Sequence, residues 1–84
     1  MDTYTHDAEL REFLATRFER ELSQLPLDAS LTDELALDSL DGLELMAEIE
    51  DRFNVYFTPE QLSQPRTLRN ILEALAASAW REAS

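Results

Sequence analysis

Apolar residues return at helical spacing over three stretches of the chain. Leu10, Leu14, Phe18 and Leu22 recur every fourth position with Phe13 beside them, which predicts a first helix from about Ala8 to Gln24, closed by Leu25-Pro26. Met1 to about Asp7 precedes it as a short flexible polar arm. A second helix is expected from Ser39 to Phe53, with Asp38 as its N-cap and Asn54 as a stop tolerant of left-handed backbone. Val55-Tyr56-Phe57 is a short apolar link, and Thr58-Pro59-Glu60-Gln61 starts a brief helix that Pro65 cuts off. Thr67 caps a last helix with Leu68, Ile71, Leu72, Leu75 and Ala79 on one face, fraying over residues 80–84. From Leu27 to Leu37 there is no strand alternation. That connection of roughly a dozen residues is long for a helical domain, so it reads as a packed loop anchored by Leu31 and Leu35. The expected fold is all-α: a small four-helix bundle of three longer helices and one short one, with a long first loop, as one domain over residues 1–84.

The second helix divides into three zones. At about 100° per residue from Ser39, Gly42, Met46, Ile49 and Phe53 gather at roughly 280–340°, with Leu45 at their edge, as a core stripe. Asp41, Glu44, Glu48 and Asp51 fall opposite as an acidic ridge, with Arg52 the nearby compensating charge. Between them lie Leu40, Leu43 and Ala47, on the side that carries Ser39 and Glu50. Apolar groups flanked by carboxylates suit a docking surface for basic partners, whereas packing against the loop or the short helix is the plainer role for Leu40 and Leu43. Gly42 is the single glycine, and its place on the core side suggests close approach by another backbone or side chain.

Ser39 itself stands at a helix N-terminus, where free N–H groups and a partial positive charge favour an anion. A hydroxyl there suits a phosphodiester modification. No base accompanies it as a nucleophile would require, since the lone histidine, His6, falls in the polar arm.

Composition narrows the partners. A net charge of −11, from 7 Lys+Arg against 18 Asp+Glu, opposes binding to nucleic acid or an anionic membrane and steers the protein toward basic protein surfaces. There is no cysteine, hence no disulfide, thiolate metal site or side-chain thiol chemistry. The carboxylates starting at Asp28 or Asp33 do not fall in an EF-hand pattern, and no metal site is expected. No leader-like or membrane-spanning apolar run is visible, so a cytoplasmic monomer is expected, with no catalysis of its own.

Taken in order, Leu35-Ala36-Leu37-Asp38-Ser39-Leu40-Asp41, Leu43-Glu44-Leu45, Ile49-Glu50-Asp51-Arg52-Phe53, Val55-Tyr56-Phe57-Thr58-Pro59-Glu60 and Thr67-Leu68-Arg69-Asn70-Ile71 resemble the acyl carrier proteins. The similarity spans about Leu31 to Leu75. It implies that Ser39, in the Asp-Ser-Leu motif with Asp38, carries 4'-phosphopantetheine added by a phosphopantetheinyl transferase. The arm's thiol would then hold acyl groups as thioesters. It also implies that Leu40, Asp41, Leu43, Glu44, Ala47, Glu50 and Asp51 meet partner enzymes: an acyl-loading enzyme, a ketosynthase or an acyltransferase. Ala36 stands where that family often has glycine, Ala47 replaces a larger apolar residue, and Arg52 interrupts an often acidic run. These departures favour polyketide or other specialised acyl pathways over primary fatty-acid synthesis. The alternatives are an aminoacyl or peptidyl carrier and, in another class, an unmodified acidic interaction module.

Overall fold

A computed structural model describes residues 6–77, which form five helices. They are α1 (Asp7–Phe18), α2 (Leu31–Glu34), α3 (Ser39–Phe53), α4 (Pro59–Ser63) and α5 (Leu68–Ala77). The helical bundle and the long first loop are as expected. One difference is α2, a single extra turn inside that loop. Ala79 and the tail 80–84 lie outside the described residues, as do the first five residues of the polar arm.

The end of α1 departs most from expectation. Asp7 and Glu9 suit its positive N-terminus and Arg17 its C-terminus, but the helix stops at Phe18 with Glu19 in the left-handed region (φ 55°). Arg11 supplies the reason. Its Nη1 donates to the carbonyls of Leu22 (2.8 Å), Ser23 (3.2 Å) and Leu25 (2.8 Å), while Nε donates to Asp7 (2.7 Å). The chain therefore turns back around one guanidinium, and Leu22 is buried from a loop rather than from the helix. His6 and Asp7 also belong to the fold rather than to a free arm. Asp7 opens α1, and the His6 ring meets Phe53 edge-on with centroids 5.3 Å apart.

The first loop is pinned to the segment before α5. Leu31 N donates to Arg66 O (2.7 Å), Arg69 N donates to Leu27 O (3.0 Å), and Ser30 pairs with Thr67 in an isolated antiparallel bridge. Ser30 caps α2 through its hydroxyl, which accepts from Asp33 N. Leu37 N then donates back to Thr32 O (2.9 Å) across Ala36, which sits at φ 54°. That is a Schellman-type closure with alanine where glycine is usual. Leu31 is fully buried, and Leu35 and Leu37 pack partly buried against the core.

α3 has the bounds its punctuation predicts, from the Asp38 cap to left-handed Asn54 (φ 58°). Its stripe of Gly42, Leu45, Met46, Ile49 and Phe53 is buried. It meets Leu10 and Leu14 of α1 and Leu68, Ile71, Leu72 and Leu75 of α5 in one core. Val55 and Phe57 point inward from the extended link while Tyr56 between them is exposed, the alternation of an extended segment. Thr58 opens α4 with a reciprocal capping box to Gln61, and the Thr67 hydroxyl accepts from Asn70 N to start α5.

Candidate functional site at the start of α3

Asp38 fixes where Ser39 stands. Its Oδ1 accepts from Asp41 N (2.7 Å), and Asp41 Oδ2 accepts from Asp38 N (3.3 Å), so two orphan donors of the helix start are satisfied reciprocally. The loop holding Asp38 is in turn tied to Arg66 and Arg69 backbone, so the helix tip is rigidly referenced to α5. Ser39 is the first helical residue and its side chain is exposed. The amides of Ser39 and Leu40 precede any intrahelical partner, leaving the N-terminal dipole open beside the hydroxyl.

An open groove of about 500 Å³ runs beside this tip, with Asp38, Ser39, Gly42 and Leu43 facing Gln64 and Arg66. The close approach expected at Gly42 takes the form of the Arg66 side chain. A Cβ at position 42 would lie 3.6 Å from Arg66 Nε and 3.9 Å from Cγ, ordinary van der Waals contact. Arg66 Nη1 donates to Gln64 O (2.9 Å), but Nε is buried with no hydrogen-bond partner among the described residues. Leaving such a donor unmet costs about 1–3 kcal/mol, and more when it is charged. Nothing in the sequence pattern singles out Arg66, because Pro65-Arg66-Thr67 reads as a connection.

The expected docking residues separate by what else they do. Leu40 is 62% exposed and Leu43 51% exposed, so neither joins the buried core, and Leu43 lines the groove together with Ser63 of α4. Glu44, Ala47 and Asp51 are exposed with them, and Asp41 is exposed although one of its oxygens closes the capping box. Glu50 is half-buried and holds the link after α3, its Oε2 accepting from Phe57 N at 2.7 Å. The ridge is balanced from α1. Arg17 donates to both oxygens of Glu48 (2.8 and 3.3 Å), and this hydrogen-bonded carboxylate, with Glu44 and Asp41 farther off, raises the Arg17 pKa above its ordinary value. Arg52 lies over the Phe53 ring, 5.6 Å from its centroid. Among the described residues no group of three or more His, Asp or Glu is placed to hold a metal ion, and no helix is long and apolar enough to cross a membrane.

Residues 8–75 match the family described as "Phosphopantetheine attachment site". An acyl carrier protein of Streptomyces coelicolor is 42% identical over 76 residues, covering 84% of this chain and 83% of its own. An acyl carrier protein of Exiguobacterium sibiricum is 30% identical over 64 residues, covering 76% and 81%. One from Syntrophus aciditrophicus is 30% identical over 71 residues, covering 84% and 89%. No solved structure matches the chain significantly.

Proposed function

The chain belongs to the acyl carrier protein family, and from that premise we propose that Ser39 is the hydroxyl through which it carries 4'-phosphopantetheine. The observation that supports this most directly is an exposed hydroxyl on the first residue of a 15-residue helix, held by the Asp38–Asp41 capping box at the edge of an open groove. The surroundings fit the group: a helix N-terminus for the phosphate, an unpaired buried Nε on Arg66, and a groove that the absent Cβ of Gly42 leaves clear. When attached, the arm supplies a terminal thiol that holds an acyl group as a thioester, chemistry for which the chain has no cysteine of its own. Asp38 keeps the serine at one place relative to the bundle. No side chain of the protein is asked to move a proton.

The family relationship implies encounters with a phosphopantetheinyl transferase and with biosynthetic enzymes. We assign the contact surface to Leu40 and Leu43 as apolar anchors next to Ser39, with Asp41, Glu44, Ala47 and Asp51 around them. Partners would present basic patches: an acyl-loading enzyme, a ketosynthase or an acyltransferase. Glu50 serves that surface by holding the Phe57 amide and so the link that borders it. For the pathway we favour polyketide or other specialised acyl synthesis, on the small Ala47 and the cationic Arg52 within the recognition helix. Incubation with coenzyme A, magnesium and a broad-specificity phosphopantetheinyl transferase should add one arm to the wild type and none to Ser39→Ala. Equal mass gain by the variant would refute the assignment.

A further inference from the structure

Attachment at Ser39, on which this inference rests, adds an anion to a crowded place. The tip of α3 already carries Asp38 and Asp41, in a chain of net charge −11. The helix dipole offsets only part of that repulsion, because it amounts to about half an elementary charge. Across the groove stands Arg66, the one basic side chain among the described residues that line it. Its Nη1 is taken by the Gln64 carbonyl, which orients the guanidinium, while Nε is buried and has no acceptor among the described residues. A buried donor of a permanent cation without a partner is rare in a folded protein and calls for a missing acceptor. This nitrogen is closed to solvent, and Gly42 flanks it without a side chain, so an acceptor reaching it from the α3 side has no Cβ to displace.

We propose that Arg66 is a positioning residue for the arm: its Nε–H donates to a phosphodiester oxygen on Ser39 and draws the near end of the arm into the groove. The ligand class is a singly charged phosphodiester tethered at the helix tip. A guanidinium suits that role because it is planar, always protonated and weakly hydrated, so it can meet an anion while partly buried. The two ends of the interaction lie on different elements, Ser39 on α3 and Arg66 in the segment between α4 and α5. Holding the arm therefore also closes the bundle at that seam. The free arm would sweep from one fixed point; the held arm leaves along one direction, between α3 and residues 63–66.

The test compares apo and holo forms of the wild type and of Arg66→Met, which keeps the stem over Gly42 but removes charge and donor. Intact mass first establishes one arm on each holo protein. In the wild type, attachment should shift the Arg66 Hε resonance downfield and produce a through-hydrogen-bond coupling from Nε to phosphorus. It should also raise the melting temperature by at least about 4–8 °C, and this rise should vanish in R66M. A wild type that accepts no arm overturns both this proposal and the Ser39 assignment. An arm that is present, yet leaves Hε unmoved and stabilises R66M as much as wild type, overturns this proposal alone. If R66M does not fold, the apo-to-holo change at Hε in the wild type decides the question by itself.

Discussion

Moving the chain's single glycine from position 42 to position 36 should stabilise the unmodified protein. Ala36 occupies φ 54° in the Schellman-type closure of α2, where a Cβ crowds the following carbonyl. That conformation costs an L-residue about 1–2 kcal/mol, and glycine's extra freedom in the unfolded chain offsets about 0.4–1 kcal/mol of the gain, leaving about 0–1.6 kcal/mol for Ala36→Gly. Gly42 sits in the interior of α3, where alanine is better by about 0.8–1 kcal/mol. The new methyl would meet Arg66 at 3.6 Å and 3.9 Å, so no clash subtracts from that figure. Together the pair should add about 0.8–2.6 kcal/mol, a rise of about 3–21 °C in melting temperature at about 4–8 °C per kcal/mol for a domain of this size. Thermal unfolding followed by circular dichroism, on the two single variants and the double, measures it. A fall in A36G would mean that left-handed backbone is not strained there. A fall in G42A would mean that Arg66 packs more tightly on α3 than its contact distances indicate.

Other consequences concern the charged network and the docking surface. Glu50→Ala removes a 2.7 Å charge-assisted bond to the amide of buried Phe57 and should destabilise by about 1.5–3 kcal/mol, read as a lower urea midpoint; an unchanged midpoint would deny the carboxylate any structural role. The Arg69 guanidinium, hydrogen-bonded to Asp28 at 2.7 and 3.2 Å, holds that carboxyl below its ordinary value of 3.8. A carboxyl depressed on folding stabilises above its unfolded pKa, and the contribution is lost as pH falls through the folded value, so this pair should weaken only below about pH 4. Carbon-detected NMR titration should find the Asp28 midpoint under 3.8 in wild type and moved up toward it in Arg69→Gln; identical midpoints would remove Arg69 as the cause. Glu44→Lys should weaken binding to a partner synthase or transferase in surface plasmon resonance while leaving the helical spectrum unchanged, and undiminished binding would take the ridge out of the interface.

Where local chemistry alone sets an element, it was legible before the fold. Asp38 and Asn54 delimit α3 because a cap and a left-handed stop act within a few residues, and Thr58-Pro59 opens α4 for the same reason. The core face of α3 follows from its 3.6-residue period, and Ser39 from its place beside the cap. The end of α1 was hidden because Leu22 lies at helical spacing from Phe18, while the bonds that pull it into a loop join Arg11 to carbonyls 11–14 residues away. α2 is one turn, too short to show a period, although Ser30 three residues before Asp33 carries the capping signal. The partners of the acidic ridge were equally out of view, since Arg17 and Glu48 are 31 residues apart. Arg66 escaped for a related reason: its meaning lies in facing Gly42 and Ser39 across a groove, and no spacing along the chain encodes that.

Intact-mass and fragmentation analysis of the protein isolated from its own host tests the central claim most directly. The account predicts a single phosphopantetheine, with or without an acyl group, localised to the peptide containing Ser39. An unmodified chain, or an arm carried on another hydroxyl such as Ser30 or Ser63, would contradict it.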